Sequence, residues 1–348
     1  MLKAEPLPSM AQGRGDVMSS DRSILRDVAT TAGVSLRTAS RVLNDDPRVA
    51  STTRERVQRA IRDLRYTPDL MARSLRGGTD ATIGLVVESI ADPFFASLIE
   101  AVEDAGSEQG RSVLVASTHG DQDRESRVLQ ELLRRRVSGL LLVPTSSDHS
   151  WLADAGPALV LVDRPAPGLD ADVVRIDDQQ AAHGAVSHLI ARGHRRIAYI
   201  GDYSNVLTSA ARLAGYRKAL TDHGLPVPEH LVHADCPTAD AAGAAIGGLL
   251  AGPDQPTAVF SAATRCSLGV VPAVHRLGRT DVALVGFGDF AMADALVPAV
   301  TVVDHSGAAV GREAAARLLR RIQEPELAPA TVDVPVALLE RGSGELTP

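Results

Sequence analysis

The sequence is poor in aromatic residues, in cysteine and in long apolar runs, and each scarcity closes off a class of protein. Phe, Tyr and Trp make up only 3% of the 348 residues, so the cores behind an apolar content of 45% have to be built mainly from Ala, Val, Leu and Ile. Cys236 and Cys266 are too few for an extracellular disulfide framework and lack metal-ligand spacing, which points to a reducing cytoplasm. Met1 to Asp21 mixes charge, Pro, Gly and Ser without the apolar centre of a secretion signal, and no later run is long enough to cross a bilayer, so no membrane partner is expected. The histidines form no His-Glu-x-x-His pair and no serine stands in a Gly-x-Ser-x-Gly elbow; neither a metal, a cofactor nor catalysis is implied.

What is present is a long chain with unevenly placed charge. Its length calls for two or three units. The net charge is −7, yet Arg22 to Arg76 holds twelve arginines, no lysine and six acids, a surplus of six positive charges that leaves −13 for the remainder. One end is thus built to meet an anion, and with arginine, whose planar fork can engage phosphate or a guanine edge in a bidentate way.

Within that basic end, Leu25, Val28, Ala29 and Ala32 have the spacing of a short helix that Gly33 stops. Val34 can plug the turn and Ser35 can cap a second helix with Ala39, Val42 and Leu43 inside and Leu36, Arg37, Ser40 and Arg41 outside. A third helix fits Thr52 to Leu64, with Thr52 and Glu55 as a capping box; Leu70 to Arg76 is a marginal helix that needs a partner to fold. From Ala81 onward, short apolar runs alternate with helical stretches, as expected of parallel α/β sheets, and a break near Val173 to Asp178 divides two similar lobes around a cleft.

The order Leu25-Arg26-Asp27-Val28-Ala29-Thr30-Thr31-Ala32-Gly33-Val34-Ser35, Thr38-Ala39-Ser40-Arg41-Val42-Leu43-Asn44 and Leu64-Arg65-Tyr66-Thr67-Pro68, then Ala72-Arg73-Ser74-Leu75, resembles the lactose/galactose-type family of bacterial repressors. Asp163-Arg164, Arg212-Leu213-Ala214-Gly215-Tyr216 and Gly286-Phe287-Gly288-Asp289 extend the resemblance into the family's periplasmic-binding-protein-like domain. The resemblance implies a flexible tail (1–22), an all-α helix-turn-helix domain (23–67) and a hinge helix with linker (68–80). It also implies an α/β effector-binding and dimerisation domain (81–344) of two parallel-sheet lobes, about 81–174 plus 304–330 and 175–303 plus 331–344.

It further implies a homodimer on a palindromic double-stranded DNA operator, with Leu36, Arg37 and Arg41 reading base edges in the major groove. Ser35, Thr38, Asn44, Ser51 and Tyr66 would hold backbone or cap helices, Ala72 and Leu75 would enter the minor groove, and Asp69, where relatives commonly carry Asn, would cap the hinge. A small-molecule effector would sit between the lobes near Phe94 or Phe95, Asp163, Thr208, Arg212 and Asp289. Acid, arginine and an aromatic face suit a sugar, a sugar acid or a sugar phosphate; Arg265, beside Ala263-Thr264 where relatives have polar side chains, would favour the anions if it faced the pocket. A solute-binding protein and a DNA-binding protein without effector are the competing readings, and the basic N-terminal unit argues against the first.

Overall fold

Small apolar residues at helical spacing build the N-terminal unit. In the computed structural model, which describes residues 24–43, 46–66, 82–146, 148–153 and 155–348, the chain divides after Gly78 into two units. The first contains α1 (Leu25–Ala32), α2 (Leu36–Leu43) and α3 (Ser51–Asp63). Its fully packed centre holds only Val and Ala: Val28, Ala29, Ala32, Ala39, Val42, Val57 and Ala60, with Leu25, Ile61 and Tyr66 against it. Small side chains let three short helices approach closely without an aromatic core. Gly33, at φ 62°, supplies the left-handed turn between α1 and α2, and Val34 N–H returns to Ala29 O at 2.9 Å. α3 starts at Ser51 behind Ala50, without a side-chain cap, so the expected Thr52–Glu55 capping box is not formed. Asn44, Asp69, Ala72 and Leu75 lie outside the described residues.

The second unit is two six-stranded sheets. The first follows the order β11 (Thr331–Asp333), β5 (Asp172–Arg175), β4 (Ala158–Val162), β3 (Gly139–Leu142), β1 (Thr82–Val87), β2 (Ser112–Ser117), all parallel. The second runs β12 (Ala337–Leu339), β10 (Thr301–Asp304), β9 (Ala283–Phe287), β8 (Ala258–Ser261), β6 (Ile197–Ile200), β7 (Val232–His233), parallel except where β12 meets β10. Central strands such as β3, β6 and β8 are buried along their whole length, as expected when helices cover both faces. In chain order the helices are α4 (Pro93–Glu108), α5 (Gln122–Arg134), α6 (Asp178–Ala191), α7 (Leu207–Asp222), α8 (Ala239–Ala251), α9 (Thr264–Arg276) and α10 (Gly307–Gln323). The last two have no counterpart among the elements expected from sequence. α7 lies so close to α6 that a Cβ on Gly215 would come within 2.3 Å of Gln179 O.

The chain crosses between sheets three times. Thr331–Asp333, expected in the second lobe, pairs with β5 in the first. The cause is a buried carboxylate. Asp172 accepts hydrogen bonds from Arg317 Nε (2.8 Å), Ala330 N–H (2.9 Å) and Arg321 Nε, which ties the end of α10 and the segment before β11 onto β5. Among the described residues no helix is long and apolar enough to cross a membrane.

Candidate functional site

In the N-terminal unit the turn places one helix face outward. Ser35 Oγ accepts Thr38 N–H at 3.1 Å and pairs with Thr38 Oγ1 at 2.8 Å, so Ser35 caps α2 and Thr38 holds the capping side chain in place. Leu36 is 42% exposed and Arg37 is exposed beside it. Arg41, expected on the same face, donates Nε to Asp46 at 2.8 Å. Asp46 also takes the guanidinium of Arg48 at 2.9 Å, while its carbonyl accepts from Arg54 at 2.8 Å, so this one acid organises the connection from α2 to α3. The Arg48 and Arg41 hydrogen bonds hold its carboxyl well below the usual carboxylate range. Ser51 is exposed at the start of α3, and Tyr66 packs partly buried against the core. Leu36 and Arg37 therefore face outward on α2, while Arg41 is held in an ion pair.

In the second unit a cleft opens where strand ends from both lobes converge. Phe94, Phe95, Asp163, Thr208 and Arg212 all line it. Asp289 does not: its two oxygens bind Arg341 at 2.8 and 2.7 Å, a bidentate pair that fastens the C-terminal segment to the end of β9. Phe95 is largely buried, while Phe94 stacks on His305 with centroids 4.6 Å apart. Burial, with the charge of Arg212 nearby, lowers the His305 pKa to about 3, so this imidazole is neutral at physiological pH.

Polar groups in the cleft are arranged in pairs. Arg212 donates Nε to Asp178 at 2.6 Å and Nη1 to Ala262 O at 3.0 Å, with its guanidinium carbon 4.0 Å from the centroid of the Phe287 ring. Burial pushes the Asp178 carboxyl upward against the pull of Arg212. Asp163 has φ 72°, a left-handed conformation that Asp tolerates better than most residues, and burial raises its pKa too. It accepts from Arg164 Nη1 at 2.8 Å, and Arg164 also donates to Pro144 O at 2.7 Å. Asp163 thus enters the cleft with one arginine already on it.

Arg265 joins the lobes. It donates to Glu88 of the first lobe at 3.0 Å, lies 3.8 Å from Asp92 of the same lobe, and faces Asp202 of its own lobe at 3.5 Å. Its charge is matched, which removes the reason for expecting it to attract an anion. The lining counts four acids (Glu88, Asp92, Asp163 and Asp202) against three arginines (Arg164, Arg212 and Arg265). Glu88, Asp178, Asp202, Tyr203 and His305 were not singled out from sequence; only Arg164 had a signal, its place beside Asp163.

Residues 80–342 match the family described as periplasmic binding proteins and sugar binding domain of LacI family, and residues 24–69 match bacterial regulatory proteins, lacI family. The ribose operon repressor of Escherichia coli (strain K12) is 31% identical over 92% of this chain and 99% of its own length. The HTH-type transcriptional regulator GalR of Salmonella typhimurium (strain LT2) is 31% identical over 84% of this chain and 87% of its own. Among solved structures, the transcriptional regulator CelR in complex with cellobiose is 32% identical with a TM-score of 0.69, over 92% of this chain and 100% of that one. The lac repressor dimer bound to operator and the anti-inducer ONPF is 26% identical with a TM-score of 0.82, over 92% and 99%. With a helix-turn-helix unit at one end, a cleft between two lobes at the other, and relatives that match both along nearly the whole chain, this protein belongs to the lacI family of bacterial transcriptional regulators.

Proposed function

We propose that the chain is a cytoplasmic, homodimeric repressor of carbohydrate-related genes that grips a two-fold-symmetric operator and changes its grip when an uncharged sugar binds between the lobes. The cleft carries this reading: each of its arginines is already paired with a carboxylate and the acids outnumber them by one, leaving hydrogen-bonding edges and an aromatic face rather than a spare positive charge. Hydroxyl groups both donate and accept, so a polyol can thread such a network, whereas an anion would sit among four carboxylates without a free cation to offset their repulsion.

Arg37 and Leu36 are assigned to base edges, with Arg41 beside them, and Ser35, Thr38 and Ser51 to positioning or capping. Ala72 and Leu75 are assigned to the minor groove, following the family resemblance. A second copy is needed because one short helix reads only a few base pairs. Relatives named for ribose and seen with cellobiose favour a carbohydrate over other small molecules. The test is selection of binding sites from a random duplex pool by the full chain, followed by binding to the selected duplex with and without neutral sugars, sugar acids and sugar phosphates. The expected result is a palindromic site whose affinity responds to a neutral sugar; response to the anions alone would overturn the ligand assignment.

A further inference from the structure

Asp46, between α2 and α3, is bound to Arg41 through both its backbone and its side chain. Its N–H donates to Arg41 O at 3.0 Å, and its Oδ2 accepts Arg41 Nε at 2.8 Å. The same oxygen accepts Arg48 Nη2 at 2.9 Å, while Oδ1 accepts the Arg48 N–H and Nε, each at 3.0 Å. Each oxygen thus takes two donors, about all that an ionised carboxylate can accept. Under these arginines the Asp46 side chain is only 13% exposed. An acid on a surface that meets phosphates is repelled by them, and arginines covering it are what make it tolerable there.

What the carboxylate takes from Arg41 decides what Arg41 has left. Only Nε is engaged; among the described residues Nη1 and Nη2 of Arg41 have no partner, and the side chain is 39% exposed. The end of the planar fork, carrying both terminal nitrogens, is an edge that can meet guanine O6 and N7 together. Without a brace, so long a side chain would have to be ordered at the moment of binding. Arg37, four residues earlier on α2, is exposed and has no partner among the described residues. Like charges at that spacing on a helix repel, so two unbraced forks would disturb each other.

We propose that Asp46 is a positioning residue for base recognition: it presents the Arg41 fork end-on and apart from that of Arg37, so that an acid touching no base sets sequence choice at the Arg41 base pair. The inference rests on the assignment of Arg41 to base edges above. Loss of the carboxylate frees the fork to swing onto phosphates, which lowers discrimination at that base pair. It also removes a negative charge from beside the phosphates, which favours binding to any duplex. A residue that merely joined α2 to α3 would, when lost, weaken binding to matched and unmatched duplexes together.

The test uses Asp46→Ser in the full chain, because a serine hydroxyl can still accept the Arg48 N–H and keep the turn but offers Arg41 no carboxylate. Binding is measured on single-base variants of the selected duplex and on a scrambled duplex at one salt concentration, with folding followed by circular dichroism. A bidentate arginine supplies about 5- to 150-fold discrimination, and at one symmetric base position this should fall by at least about threefold, while affinity for the scrambled duplex stays level or rises. In an Arg41→Ala background the same Asp46→Ser change should leave base preference unmoved, since the fork it steers is gone. Unchanged discrimination in Asp46→Ser, an effect that persists without Arg41, or equal weakening on both duplexes would overturn the positioning role, as would a helix-turn-helix unit that no longer folds. If Arg41→Ala alone leaves every base preference intact, the assignment of Arg41 to base edges fails, and the role of Asp46 with it.

Discussion

The two ends of this molecule use arginine in opposite ways. In the helix-turn-helix unit Arg37 faces solvent over a core of Val and Ala, and the helices need nothing from it. In the cleft Arg212 is buried on Asp178, Ala262 and Phe287, and the lobe needs it to keep a buried acid paired. An outward arginine is free to choose a ligand, while an inward one is first a structural cation and only then a ligand group. Substitutions at the two ends should therefore fail differently: the first in recognition with the fold intact, the second in the fold before recognition can be read.

Breaking the inward pair has the largest expected effect. Arg212→Ala leaves Asp178 buried without its cation and should destabilise the sensor unit by about 3–5 kcal/mol in urea unfolding of the full chain. Adding Asp178→Asn to that variant should recover a large part of the loss, because the side chain left without its cation no longer carries a charge. If Arg212→Ala alone unfolds like the wild type, the pair is not structural and the contrast between the two ends disappears.

The outward arginine comes next. Arg37→Ala should leave the unfolding curve unchanged while removing about 1–3 kcal/mol of discrimination at one symmetric base position, measured on a panel of single-base variants of the selected duplex at fixed salt. Uniform weakening across the panel, with a smaller salt slope, would reassign Arg37 to phosphate.

An effect of comparable size should appear on acidification. His305 titrates near 6.5 when unfolded and near 3 when folded, so between those values the unfolded chain binds the extra proton and stability falls as pH falls. The raised carboxyls of Asp163 and Asp178 act in the opposite sense, since the folded state holds their protons more tightly. The difference between wild type and His305→Gln isolates the histidine: its slope should approach at most about 1.4 kcal/mol per pH unit between pH 6 and 4. Parallel pH profiles would show that His305 is protonated, or exposed, in the folded protein.

How much of this was legible in the sequence follows from the range of the interactions. The helix-turn-helix was readable because its determinants are local: Val28, Ala29 and Ala32 set the period, Gly33 the turn and Ser35 the cap, all within a dozen positions. Strands such as Ile197–Ile200 were readable from unbroken apolar runs. The third crossing was not, because Thr331-Val332-Asp333 would suit either sheet, and the choice is made by Asp172, far earlier in the chain. In the cleft, Asp163 and Arg212 could be named from family motifs, but their partners could not. Arg265 meets Glu88 across 177 positions, and Asp289 is withdrawn from the ligand by Arg341 across 52. Sequence shows which residues carry charge, whereas tertiary pairing decides which charges remain for a ligand.

If a small molecule held by the inward network controls what the outward arginines grip, the two binding events must be thermodynamically linked. The affinity of the full chain for its selected duplex should be measured with and without a saturating neutral sugar that raises its melting temperature, and the sugar's affinity with and without saturating duplex. Duplex affinity should change by about 5- to 150-fold, and sugar affinity by an equal factor in the same direction. A sugar that binds tightly yet leaves duplex affinity unchanged at constant salt would contradict that linkage.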